Sequence, residues 1–339
     1  MYVTIYHIAE KASVSIATVS RVLNDNPRVA PETRERVLSV AAELGYQPHS
    51  VAQNLARRQS NLVSVVVPAM SSHFFMEVLR GIQDALAASG HDVLVHLAKT
   101  RSEGVVQLDR ALRRGRSAGI LIVSTPFLSS LVERLGRAKQ AVVLVDCEHP
   151  GFNSISVDNK RGGFLAVDHL LDVGCRKIAL LMASRSSTPS SDRHAGYVEA
   201  LASRDMPVDE NLVAVCDGEQ DGFTESAGFD AMQRLLQHGA RPDGVFATSD
   251  VQAIGVLRAL RDAGLDVPGD VKVVGFDDMP LIRYAEISTM QQPMYRLGSL
   301  GAARLLEQLA NPDLPIENSV HAPELIPRST TVPVEAVIA

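Results

Sequence analysis

Along the first 58 residues, apolar positions recur every three or four residues in three short bursts, the spacing of amphipathic helices. Ile5, Ile8, Ala9 and Ala12 share one face of a helix over residues 4–12, with Thr4 placed to cap it. Ser13 and Val14 break the pattern. Ser15 then caps a second helix over 16–23, whose inward face is Val19, Val22 and Leu23. Pro31 opens a third helix and Gly45 ends it, with Val37, Leu38, Ala41 and Leu44 as its apolar stripe. Two short helices on a tight turn, closed by a third, have the arithmetic of a helix-turn-helix module. A plain three-helix bundle has the same periodicity. The outward face of the second helix favours the former: Ile16, Ala17, Ser20, Arg21 and Asn24 include no acid.

Beyond Leu62 the pattern changes to apolar runs alternating with helical stretches. Runs at 63–67, 92–98, 119–124, 141–145, 154–158, 177–183, 244–248 and 271–276 read as strands. Stretches at 74–88, 162–172, 193–203, 223–237 and 253–263 read as helices. Val/Ile/Leu strands alternating with helices predict parallel sheets covered on both faces. Two successive sets predict two similar lobes. Ser184–Ser191, rich in serine, is expected to be a mobile polar loop between a strand and a helix.

Composition adds a contrast within the chain. The 339 residues are 46% hydrophobic and carry a net charge of −6, which by itself argues against a nucleic-acid partner. Yet residues 1–58 hold seven basic and five acidic groups, leaving the remainder with 26 against 34. A slightly basic head thus precedes an acidic body. Cys147, Cys175 and Cys216 are odd in number and widely spaced, which fits buried reduced thiols rather than disulfides or a zinc site. No leader-like start and no bilayer-length apolar run stand in the sequence, so a cytoplasmic protein without a membrane partner is expected.

The segment from Val3 to Ser60 resembles the DNA-binding head of the LacI/GalR family of bacterial regulators. The resemblance rests on Ile8-Ala9, Val14-Ser15, Ala17 through Val22, Asn24, Val29, Thr33-Arg34, Gly45-Tyr46 and Pro48, and it continues into the body. Ser13 departs from it, standing where the family usually has Gly or Asn. The resemblance implies a fold in three parts. Residues 1–48 form a three-helix helix-turn-helix DNA-binding domain, and 49–60 a hinge helix. Residues 61–339 form a two-lobed, doubly wound α/β body like periplasmic binding proteins. Lobe 1 takes about 61–158 and 291–319, and lobe 2 about 159–290 and 320–333. It places Ile16, Ala17 and Arg21 at base edges, where an arginine donates a bidentate pair to guanine. Thr4, Tyr6, Ser15, Thr18, Ser20 and Asn24 fall at phosphates. Leu55 becomes a minor-groove wedge with Arg57 beside the backbone. The implied partners are a palindromic double-stranded DNA operator and a second copy of the chain, with a tetramer left open.

In doubly wound folds, ligands sit at the carboxyl ends of the strands. Ser72, His73 and Phe75 follow the first strand, and Asp146, Asp250 and Asp277 follow later ones. The resemblance adds Arg193, in Arg-His-Ala-Gly-Tyr. Such acids suit hydroxyl or base-nitrogen hydrogen bonds, although for Asp158 and Asp250 helix capping competes, and core packing competes for Phe74 and Phe75. A sugar or sugar phosphate is the expected effector, and a phosphorylated carrier protein the alternative as corepressor. No phosphate-loop, zinc-protease, nucleophile-elbow or dinucleotide motif is present, so no enzyme, metal or cofactor is expected. A sugar-binding or α/β enzyme body fused to a DNA-binding head is the rival reading.

Overall fold

The computed structural model describes residues 3–23, 26–46, 60–68, 72–98, 101–113, 117–125, 129–137 and 140–332. The chain divides into two compact units, Met1–Asn61 and Leu62–Ala339. In the first unit three helices, α1 (Ile5–Lys11), α2 (Ile16–Leu23) and α3 (Pro31–Glu43), enclose a core of Ile8, Ala9, Ala12, Val19, Val22, Val37 and Ala41. Leu38, expected in that core, is instead 47% exposed. Val37 and Ala41 already fill the inward face of α3, and Leu38 lies one position (about 100°) round the helix from Val37.

The second unit contains two six-stranded sheets. The first is ordered β11-β5-β4-β3-β1-β2 and is parallel throughout. Its strands are β1 (Leu62–Val67), β2 (Asp92–Leu97), β3 (Gly119–Val123), β4 (Ala141–Val145), β5 (Asn153–Val157) and β11 (Asn318–His321). Its helices are α4 (His73–Ala87), α5 (Arg101–Ala111), α6 (Ser129–Arg137) and α12 (Met294–Ala310). The second sheet is ordered β12-β10-β9-β8-β6-β7, with only β12 antiparallel. It is made of β6 (Ile178–Met182), β7 (Val213–Val215), β8 (Gly244–Ala247), β9 (Lys272–Asp277), β10 (Ser288–Gln291) and β12 (Glu324–Ile326). Helices α7 (Asn159–Asp172), α8 (Thr188–Ala202), α9 (Glu225–Gln237), α10 (Asp250–Asp262) and α11 (Pro280–Tyr284) belong with it.

The chain passes between the sheets after Val157, after Gln291 and after His321. Central strands β3, β6 and β8 are buried along their whole length, as unbroken apolar or small-residue runs require, and β5 is buried with Asn153 and Ser154 hydrogen-bonded. Three helix pairs are packed backbone to backbone through glycines on both sides: Gly81 and Gly298, Gly163 and Gly196, Gly228 and Gly255.

The serine-rich segment differs from expectation. Ser187 precedes α8, which starts at Thr188 with Pro189 in its first turn. Ser190 Oγ donates to the Ala183 carbonyl at 3.2 Å and Ser191 Oγ to the Arg185 carbonyl at 2.9 Å. Proline suits that first turn, so half of the anticipated loop is helix.

Candidate functional site

In the head, α1 ends in a backbone motif that aims α2. The Val14 N–H donates to the Ala9 carbonyl at 3.0 Å and the Ser13 N–H to the Glu10 carbonyl at 3.2 Å. This is a Schellman closure, whose left-handed residue is usually glycine. Here it is Ser13, at φ +50. Ser15 Oγ then accepts the Thr18 N–H at 3.1 Å, capping α2. At the start of α1, the Thr4 N–H donates to His7 Nδ1 at 3.0 Å. Two of the head's cations brace it internally. Lys11 pairs with Glu43 at 2.6 Å, and Arg34 donates to the Asn26 carbonyl at 2.6 Å.

The outward face carries Tyr6, 64% exposed, and Ile16, 40% exposed, with Ala17 and Arg21 also exposed and Thr18 and Ser20 half-buried. Apolar Ile16 and Ala17 left uncovered on the same acid-free helix, α2, as Arg21 match the chemistry of groove edges. Asn24, Leu55, Arg57 and nearly all of the expected hinge over 49–60 lie outside the described residues.

In the body, polar side chains converge from strand ends of both sheets. Asp146 follows β4, Asp277 ends β9, and Arg193 projects from α8. All three are buried, at 8%, 7% and 4% exposure. Arg193 Nε donates to Asn159 Oδ1 at 2.8 Å, its Nη1 to the Thr248 carbonyl, and its guanidinium lies 3.5 Å over the Phe276 ring. The glycines of the α7–α8 pair make that placement, because the Gly163 Cα sits directly against the Arg193 backbone. Ser124, after β3, donates to Asp146, and Gln292 donates to Asp277.

Burial raises the carboxyl pKa of Asp146 to about 6, the Ser124 hydrogen bond and Arg193 pulling the other way. Burial likewise lifts Asp277 to about 6 against the pull of Arg193 and Gln292. Arg193 is itself lowered by burial and supported by Asp277, Asp146, Asp250 and Asp192. It therefore links acids of both lobes. Asp192 is raised by its own burial and by Glu148 from the opposite lobe.

Asp250 stands apart. It is fully buried, with Oδ2 accepting the Met279 N–H at 2.9 Å and Oδ1 the Thr289 hydroxyl at 2.6 Å. Each of its oxygens thus holds one protein donor, and its charge also supports Arg193. The α10 cap is Ser249, not Asp250, while Asp158 does cap α7 through the Arg161 N–H at 2.8 Å.

Ser72 precedes α4 and is half-buried. His73 is half-buried with Nε2 enclosed and without a hydrogen-bond partner. Phe74 belongs to the lobe 1 core, and Phe75 is half-buried, edge-on to it at 5.3 Å. Several strand ends are strained: Ser124, Asp146, Asp277 and Asp278 all have positive φ, at +45, +56, +129 and +58. Such conformations cluster at functional sites.

Asn159, Thr248, Ser124 and Gln292 were not anticipated. Ser124 and Gln292 follow strands just as Asp146 and Asp277 do, and that position marks them in the sequence. A groove of about 820 Å³ along β7 holds none of these residues. Its Arg241 donates to the Leu236 and Ala240 carbonyls, completing the end of α9. Among the described residues no trio of His, Cys, Asp or Glu is placed to hold a metal, and no helix is long and apolar enough to cross a membrane.

Comparison with known proteins bears on both parts. Residues 4–49 match the model of bacterial regulatory proteins of the lacI family, and residues 167–331 that of a periplasmic binding protein-like domain. Catabolite control protein A of Priestia megaterium is 32% identical over 331 residues, covering 96% of this chain and 98% of that protein. The lac repressor dimer bound to operator and the anti-inducer ONPF superposes with a TM-score of 0.86 at 29% identity, over 98% of this chain and 100% of that one. The transcriptional regulator CelR in complex with cellobiose gives 0.73 at 28% identity, over 97% and 99%. An outward-facing helix on a Schellman turn, followed by a two-sheet body with a buried arginine among strand-end acids, thus has a family: the chain belongs to the lacI family of bacterial regulatory proteins and is a DNA-binding transcriptional regulator.

Proposed function

We propose that this regulator is a cytoplasmic repressor that binds a palindromic operator as a homodimer. Its effector is an uncharged polyhydroxylated ligand, a sugar or nucleoside, held between the lobes. The observation that carries the ligand class is the company of Arg193, one cation supported by Asp277, Asp146, Asp250 and Asp192. A phosphate there meets several carboxylates for one guanidinium. Neutral hydroxyls donate to Asp146 and Asp277 and accept from Arg193, so each buried group gains a partner. Phe75 offers a ring edge, and Ser72 and the unpartnered His73 Nε2 add polar contacts at the first strand end. Of the sugar and sugar phosphate expected from the sequence, the first fits this charge balance.

On DNA, Arg21 reads a guanine, Ile16 and Ala17 meet apolar base surface, and Thr4, Tyr6, Thr18 and Ser20 hold phosphates. One head with two excess positive charges displaces few counterions, so affinity comes from two heads acting together. The exposed Leu281 and Tyr284 of α11, 62% and 87% accessible, supply apolar surface for pairing of the bodies.

A thermal-shift panel tests the ligand class: cellobiose, D-ribose, D-galactose and uridine against glucose 6-phosphate and ribose 5-phosphate. A ligand at 100 times its Kd adds about 2.7 kcal/mol of stability. Stabilisation by a neutral member and by neither phosphate is the expected result. A stronger shift with a phosphate refutes the charge argument, and no shift at all hands the role to a protein corepressor.

A further inference from the structure

The lobes are joined at three crossings, and two of these are hydrogen-bonded to the charged groups that converge between the lobes. At the first, Asn159 is used from both ends of its amide. Nδ2 donates to the Val157 carbonyl at 3.3 Å, and Oδ1 accepts from Arg193 Nε at 2.8 Å. At the second, Gln292 Nε2 donates to Asp277, while its neighbour Gln291 donates to Asp278 at 2.7 Å. Asn159 and Gln292 are buried, at 7% and 3% exposure. Local structure requires neither. Asp158 already caps α7, and α12 begins two residues beyond Gln292.

Gln292 Oε1 is buried without a partner, so this amide is only half satisfied. Unmet buried acceptors are uncommon and costly. A ligand hydroxyl that engages Asp277 competes with Gln292 for the carboxylate. A second hydroxyl can satisfy the idle oxygen. At the other crossing, a ligand that draws on the guanidinium of Arg193 pulls on the group that holds Asn159. Occupancy therefore reaches both connections through one hydrogen bond each, without passing through the core.

We infer that Asn159 and Gln292 are positioning residues that transmit occupancy of the inter-lobe site to the connections between the lobes. The inference rests on the reading that the ligand sits among Arg193, Asp146 and Asp277. A ligand shifts an equilibrium only through contacts that differ between its two states. These two amides are where that difference is registered. Removing them leaves Arg193, Asp146 and Asp277 to hold the ligand less tightly and cuts the response.

The test uses the full-length protein, a palindromic operator selected from random DNA by the wild type, and whichever of cellobiose, D-ribose or uridine gives the largest thermal shift. Saturating ligand is expected to change wild-type operator affinity by about tenfold, within the ordinary range of allosteric coupling. Asn159→Ala and Gln292→Ala should weaken ligand binding by about tenfold yet, at ligand concentrations that saturate each variant, change operator affinity by less than about twofold. Asn159→Asp keeps the acceptor for Arg193 but loses the donor to the Val157 carbonyl, so it should hold ligand affinity within about threefold of wild type, which shows that the site still folds, while losing the response. A full response in both alanine variants overturns the inference. If no ligand in the panel binds, the ligand assignment has failed by itself, and the linkage is read in ligand-free protein by hydrogen exchange. There Asp277→Ala should speed exchange across residues 290–295 and leave 157–161 as in wild type. Unchanged exchange at 290–295 overturns it.

Discussion

Replacing Gly163 with alanine should dislodge Arg193 without touching it. A Cβ at 163 would lie 2.2 Å from the Arg193 carbonyl oxygen, 2.8 Å from its Cα and 2.9 Å from its carbonyl carbon. All three atoms are backbone, so no side chain can swing aside. Ordinary contact begins near 3.4 Å, so α7 and α8 must separate by more than an ångström. Opening a packed interior in this way costs about 1–3 kcal/mol, which lowers Tm by roughly 2–4 °C per kcal/mol in a body of this size. The same shift falls on the 2.8 Å bond from Arg193 to Asn159. A hydrogen bond to a charged group contributes about 1.5–3 kcal/mol, so ligand affinity should fall by about tenfold or more.

Differential scanning calorimetry and titration calorimetry on the same preparation separate the two effects. Gly104→Ala is the matched control: its Cβ would meet nothing nearer than 4.0 Å, within α5. That substitution should stabilise by about 0.5–1 kcal/mol with ligand binding untouched. A Gly163→Ala protein that melts and binds like wild type refutes the claim that the glycine contact sets the arginine.

Other expectations follow from single features. Ser13→Gly removes a side chain from a left-handed residue and should stabilise the head by about 1 kcal/mol, read as a raised urea midpoint for the isolated segment 1–61; a lowered midpoint would contradict the strain. Arg21→Ala should lose about 1–3 kcal/mol at one operator position, whereas equal losses on selected and random DNA would reject base reading. The carboxyls of Asp146 and Asp277, raised to about 6 in the folded protein, bind protons more tightly there than when unfolded. Their contribution to stability is therefore complete below pH 4 and is lost as pH rises through 6. Ligand hydroxyls donate to the ionised form, so ligand affinity should climb from pH 5 to 7.5 with proton release near pH 6. Affinity flat over that range would contradict the assignment of those acids.

How far the sequence disclosed this molecule depended on how local each signal was. The head was legible almost to the residue, because caps, turn and stripe lie within a few positions of one another. Leu38 escaped because periodicity cannot tell the centre of a narrow apolar stripe from its margin. Strands such as β3 and β4 were legible as unbroken Val/Ile/Leu-rich runs, but β7, β11 and β12 are edge strands of only three or four residues, too short to show a pattern. Asp146 and Asp277 were picked out by the strand-end rule, whereas Arg193, on a helix, came only from the resemblance; the fold puts its charge beside both acids. What the sequence could not show is that Thr289 and Met279, far along the chain, each donate to one oxygen of Asp250. Asn159 and Gln292 depend on partners 34 and 15 residues away, a relation no local pattern encodes.

The left-handed residues at Ser124, Asp146 and Asp277 set stability against responsiveness. Each holds a conformation that costs a non-glycine residue about 1–3 kcal/mol, and glycine would relieve it. Laboratory evolution for heat resistance alone should therefore enrich glycine at 124, 146 and 277, yielding robust proteins deaf to their signal. Mapped onto the fold, the positions so enriched would outline the ligand cleft before any ligand had been identified.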